Sequence, residues 1–168
     1  MAQRRTLVRA ALAAAGLAAM LATAAPAGAT PAGATTVEGR SSIQTAARST
    51  QVSLVNWSSC ELRLQNAWLD HGVWSDGLAP EPVIPDGVAT HWQSESNGFL
   101  TGTEGHVIYD AFNCKVSVLN GKRVQLHWNN PYAGSNSYDN FGSDPNFRFG
   151  RNGGDGNNAS VYWQIMTP

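Results

Sequence analysis

Four histidines, His71, His91, His106 and His127, are the side chains that could exchange a proton near neutral pH. None lies in an H-E-x-x-H zinc motif, and no G-x-S-x-G nucleophile elbow is present. Asp70 and His71 are adjacent, but a triad would need the fold to bring them a serine. The histidines read as surface or strand-face residues. Neither Cys60 nor Cys114 stands in a nucleophile signature. Asp139, Asn140, Asp144 and Asn146 put four oxygen-bearing side chains in one stretch, yet the order of a calcium loop with its closing glutamate is missing. These are also ordinary turn residues. Gly153-Gly154-Asp155-Gly156 lacks the lysine of a phosphate cradle and precedes a strand pattern. Neither an enzyme nor a metal or other cofactor is therefore expected.

Aromatic side chains are the remaining chemical resource. Trp57, Trp68, Trp74, Trp92, Trp128 and Trp163 all lie beyond residue 56. Trp74 precedes Ser75-Asp76-Gly77, and Trp128 precedes Asn129-Asn130-Pro131, with Tyr132 and Tyr138 following. Such residues suit a boundary that is apolar on one side and wet on the other. Pro, Gly, Ser and Asn surround Tyr132 and Tyr138, which predicts their exposure. Trp57, Trp68 and Trp163 stand in apolar runs and are expected in the core.

The elements that must position these rings read as strands. Gln51 to Trp57 alternates, and Leu62, Leu64, Asn66 and Trp68 are expected on one face of a second strand. Val88–Gln93, Glu104–Asp110, Lys115–Leu119, Lys122–Trp128, Phe147–Phe149 and Ser160–Met166 continue the pattern. Asn120-Gly121 predicts a type I′ hairpin. Pro131 to Asp144 reads as a long polar–aromatic loop. About eight short strands with frequent turns predict an all-β, single-domain antiparallel β-sandwich. Its expected span is 50–168, after a flexible lead-in over 35–49.

Residues 1–34 read as a secretion signal peptide. Arg4, Arg5 and Arg9 precede an apolar run from Ala10 to Ala25, and small-x-small sites follow at Ala27-Gly28-Ala29 and Ala32-Gly33-Ala34. The run is shorter than a membrane span requires. A secreted, extracellular protein is expected. In that compartment Cys60 and Cys114 suggest a disulfide, with two buried free thiols as the alternative. Removing the signal leaves eight basic against twelve acidic residues, a net charge of −4. Charged residues make up 14% of the chain, well under the usual ~25%. That excludes a basic nucleic-acid footprint and disfavours adsorption to anionic lipid.

Three stretches carry a family resemblance. Glu95-Ser96-Asn97-Gly98-Phe99-Leu100-Thr101-Gly102-Thr103-Glu104-Gly105 is similar to a segment of the aegerolysins. So are Asn130-Pro131-Tyr132-Ala133-Gly134-Ser135-Asn136-Ser137-Tyr138-Asp139 and Gly153-Gly154-Asp155-Gly156-Asn157-Asn158 with the β-run after it. The nearest likeness is to the small component of a binary Bacillus insecticidal crystal toxin. The resemblance implies a β-sandwich that binds membrane lipids of sphingolipid type. It also implies pore formation, often with a larger partner protein, and oligomers on the membrane. It places lipid contact at Trp128, Asn130, Tyr132 and Tyr138, with Glu95, Thr101 and Glu104 in the neighbouring loop and strand start. Fungal members carry an acidic residue near Thr101, so their lipid preference does not carry over. A carbohydrate-binding sandwich is the alternative from composition, because aromatic platforms with Asn and Asp loops serve sugars equally well.

Overall fold

A computed structural model describes residues 47–167. The signal segment and the lead-in before Ala47 lie outside the described residues. Strand β1 (Ser49–Trp57) starts the fold, with Thr50, Val52, Leu54 and Asn56 buried in strict alternation. The same period of two governs β6 (Thr103–Phe112), β7 (Arg123–Asn130) and β10 (Asn158–Met166). Between them lie β2 (Glu61–His71), β3 (Val73–Trp74), β4 (Val83–Ile84), β5 (Ala89–Glu95), β8 (Ser137–Asp139) and β9 (Arg148–Gly153). One sheet has the order β3-β5-β1-β10-β9 and the other β4-β2-β6-β7-β8. The core lies between the two, around Leu54, Leu62, Trp92, Tyr109, Leu126, Trp128 and Ile165. The all-β sandwich expected from alternation is the observed architecture. Pairing is antiparallel except between β1 and β10, the first and last strands, which run parallel.

Four local expectations are corrected. In β2 a register shift between Leu64 and Asn66 reverses the faces, so Leu62 and Leu64 are followed into the core by Ala67 and Leu69. Trp68 is thereby turned to the outer face, where it stacks on His106. Trp57, at the very end of β1, is 58% exposed, and of the three tryptophans expected inside only Trp163 is buried. Lys115–Leu119 is not a strand, because Ser117–Leu119 forms a 3-10 turn. Asn120 is extended (φ −62°, ψ 132°) and Gly121 has φ +75°, so Asn120-Gly121 closes a type II turn with only the glycine left-handed.

The two cysteines form a Cys60–Cys114 disulfide across 54 residues. It ties the β1–β2 turn to the segment leaving β6. Two buried asparagines do similar work without a covalent bond. At that same end, Asn56 Nδ2 donates to Cys60 O (2.8 Å) and Ile84 O (2.9 Å). At the opposite end, Asn130 Nδ2 donates to Ser49 O and Asn157 O, both at 2.9 Å, so one amide joins β7 to the starts of β1 and β10.

Removing that amide takes away both of these part-buried hydrogen bonds. Asn130→Ala is expected to lower urea unfolding stability by about 2–3 kcal/mol; a change below ~0.5 kcal/mol would show that the joint is dispensable. Gly105 gives a second test. A Cβ there would meet Leu69 Cδ2 at 2.4 Å and Trp128 Cζ2 at 2.6 Å. Gly105→Ala should cost about 2 kcal/mol or more through overpacking, and an unchanged melting temperature would contradict this.

Candidate functional site

Two loops meet at the end of the sandwich that holds Asn130. The β5–β6 loop covers 96–102 and the β7–β8 loop covers 131–136. Their backbones are in contact. A Cβ on Gly102 would lie 2.5 Å from Asn130 O and 2.7 Å from Pro131 Cα, so only glycine permits this approach. The two longest stretches singled out in the sequence are thus one structural unit.

The tip of the first loop is a tight turn in which Thr101 Oγ1 donates to Gly98 O at 2.9 Å. Leu100 has φ +56°, a conformation uncommon outside glycine. Phe99 is 86% exposed and Leu100 48%. From the second loop Tyr132 is exposed, with the Arg48 guanidinium 5.4 Å from its ring centroid. Arg48 also donates to Tyr132 O. Leu100, Gly102, Glu104, Pro131, Tyr132 and His71 line a recess of about 500 Å³ between the loops.

A more polar groove of about 590 Å³ adjoins the second loop and includes Ser135, Ser137, Tyr138, Arg151 and Asp155. Tyr138 lies against Gly154, where a Cβ would sit 2.3 Å from the ring. Its hydroxyl donates to Gly154 O at 2.8 Å, and Arg151 stands 5.5 Å from its ring centroid. Burial raises the Tyr138 pKa against the opposing pull of its hydrogen bonds and Arg151. Asn136 Nδ2 donates to Gly154 O and Gly156 O, fastening the loop to the β9–β10 turn.

The expected contact residues therefore separate. Thr101, Glu104 and Tyr132 share the recess, and Tyr138 is half-buried in the adjoining groove. Glu95 lies apart, accepting a hydrogen bond from Ser75 Oγ at 3.0 Å. Trp128 and Asn130 are 1% and 0% exposed and offer no surface here, because the β7 alternation points both inward. Trp128 packs against Trp74 and Trp92, and its Nε1 donates to Ser94 Oγ at 2.8 Å. Phe99 and Leu100 are the surface residues that sequence reasoning passed over. Their signal was an apolar pair in a Gly- and Thr-rich loop with no strand period.

The histidines are not arranged for hydrolysis. His106 and His127 stack on the outer face of the second sheet, against carboxylates rather than a nucleophile. Among the described residues no group of three or more His, Cys, Asp or Glu is placed to hold a metal. In the oxygen-rich loop Asp144 caps its own turn, accepting from Asn146 N and pairing with Lys122. Those contacts hold its pKa below the usual carboxylate value, the hydrogen bonds from Asn146 contributing most.

The structure of the lipid-binding protein Nakanori superimposes with a TM-score of 0.59 at 13% identity, covering 73% of this chain and 72% of that one. RahU, solved in complex with a TRIS molecule, gives 0.58 at 16% identity, covering 74% and 98%. These likenesses establish the fold. An uncharacterized protein of Dictyostelium discoideum is 31% identical over 83 residues, which is 49% of this chain and only 7% of that protein. The aegerolysin family profile matches residues 47–167, the whole of the described sandwich. The chain belongs to the aegerolysin family.

Proposed function

We propose that this protein is a secreted aegerolysin that binds membrane lipid through Phe99, Leu100 and Tyr132, with the head group in the recess between their loops. The observation that carries this reading is the pair of touching loops that present exposed apolar side chains around one cavity. The family has no known catalytic activity. A ring of ~200 Å², fully buried, contributes about 5 kcal/mol. Three side chains inserted in part suffice for micromolar retention, about 8 kcal/mol. The net charge of −4 after signal removal favours neutral or zwitterionic head groups, as in sphingolipids, over anionic ones. Trp128 and Asn130 then support the site from below rather than touch lipid. Permeabilisation, by oligomers on the membrane or with a larger pore-forming partner as in the binary Bacillus toxin, is the further part of the proposal.

Carbohydrate binding is the second reading. The groove of Ser135, Ser137, Arg151 and Asp155 beside the Tyr138 ring favours it, since hydroxyls and a ring face suit a sugar.

Sedimentation with liposomes of sphingolipid, sphingolipid–sterol mixtures and plain phosphatidylcholine, combined with dye leakage, tests both binding and lysis. The wild type should be retained on a sphingolipid-containing membrane. The Phe99→Ala/Tyr132→Ala double variant should lose about tenfold or more in affinity with an unchanged melting temperature. Retention on no membrane, or equal retention of the double variant, sinks the lipid reading; glycan binding in its place would favour the second.

A further inference from the structure

The outer face of the second sheet carries a column of rings that lipid contact does not use. Trp68 on β2 stacks on His106 of β6 at 4.5 Å between centroids, and His106 stacks on His127 of β7 at 4.3 Å. His127 has a carboxylate at each nitrogen. Asp139 Oδ2 of β8 lies 2.8 Å from Nδ1, and Glu104 Oε1 of β6 lies 3.0 Å from Nε2. From β2, Asp70 reaches His106 Nε2 at 3.0 Å, and His71 stands 4.0 Å from Glu104. Among the described residues these are the titratable groups gathered around the His127 ring: Glu104 and His106 from β6, Asp139 from β8, and Asp70 and His71 through them.

A neutral imidazole has one N–H and one lone pair. Between two carboxylates it satisfies one and turns a lone pair on the other. The imidazolium donates to both. This makes the geometry itself specific for the charged ring.

The strand held this way is a short one at the edge of the sheet. β8 has three residues and pairs only with β7, through His127↔Asp139, Trp128↔Tyr138 and Asn129↔Ser137. It ends the loop that carries Tyr132, and Glu104 also lines the recess. We propose that His127 is a positioning residue: as an imidazolium it clamps Asp139 to Glu104, and so holds β8 and the 131–136 loop in the geometry that binds membrane. The effect on membranes rests on the lipid reading above, whereas the clamp itself does not.

The pH window follows from the two titrations. Burial pulls the His127 pKa down, but the hydrogen bonds and charges of Asp139 and Glu104 outweigh it, so the net direction is up from 6.5. A raised folded-state pKa means the clamp's contribution is complete below the unfolded value and is lost as pH rises through the folded one. For Asp139 burial pulls upward, but His127 and the Phe141 amide outweigh it, so its pKa lies below the ordinary 3.8. Its contribution is lost only in acid, as pH falls through that lowered value. The clamp is therefore closed in mildly acidic solution and opens as pH rises through the raised His127 pKa, above the ordinary histidine value.

Hydrogen exchange of the 131–139 segment from about pH 6 to about pH 9, corrected for base catalysis, tests this beside an NMR titration of the His127 ring. Wild-type exchange should rise about three- to tenfold as His127 loses its proton, and liposome retention should fall over the same window. His127→Gln, which hydrogen-bonds without titrating, should show neither break. Asp139→Asn, which leaves the ring intact, should move the break to lower pH. A His127 that titrates at or below its ordinary value, or exchange with no break, overturns the clamp. So does membrane retention that falls with pH in His127→Gln as it does in the wild type. If the exchange break follows His127 while no membrane retains the protein at any pH, the clamp stands and the lipid reading fails.

Discussion

One buried hydroxyl joins the two sheets directly beneath the loops. Ser94 Oγ on β5 accepts from Trp128 Nε1 on β7 at 2.8 Å and from Thr103 Oγ1 on β6 at 2.6 Å. A buried indole N–H needs an acceptor, and leaving it unpaired is costly. Here the acceptor sits on the opposite sheet, so meeting that need fixes the depth and angle at which the sheets pack. Gly105 gives the indole its space, with Trp74 and Trp92 packed against it at a tilt. The residues next in the chain after these groups are the loops themselves: Glu95 and Ser96 follow Ser94, Gly102 precedes Thr103, and Asn130 and Pro131 come just after Trp128. The position of the loop surface is thus inherited from a hydrogen bond at its base.

Much of the sandwich was legible because alternation is a strong signal when one face is buried. β1, β6, β7 and β10 show it without interruption. Where the reading failed, a local exception outweighed the period. The register shift after Leu64 sends Trp68 outward, and nothing in the order of residues marks the extra position. Asn120-Gly121 is a hairpin signal only when two strands flank it directly. Here the Cys60–Cys114 bond and the Ser117–Leu119 turn occupy the connection. Trp57 has the parity of Ser53 and Val55, opposite to the buried Leu54 and Asn56, so strand phase turns it to the outer face of the first sheet.

The site was legible in sequence position more than in residue identity. The stretches around Glu95–Gly105 and Asn130–Asp139 do meet, at Gly102 and Pro131. Trp128 and Tyr132 both stand beside Pro and Asn, so neighbours alone assign them the same exposure. Strand phase separates them: Trp128 has the parity of Val124 and Leu126, while Tyr132 lies past the end of β7. The converse holds for Phe99 and Leu100, whose lack of any phase was itself the sign that they face water.

The two supports of the second loop differ in kind. Below it, Asn130 and Trp128 make neutral hydrogen bonds that no ordinary pH alters. At its far end, β8 is held by an ion pair in which the His127 ring loses its charge as pH rises. A neutral buried network fixes where the loop begins, whereas a part-buried charged clamp on a three-residue strand sets how firmly it ends. The combination lets loop order vary while the sandwich stays folded. It also explains how a surface with few charged residues can respond to pH: the response comes from one ring placed between two carboxylates, and the net charge of the molecule contributes little to it.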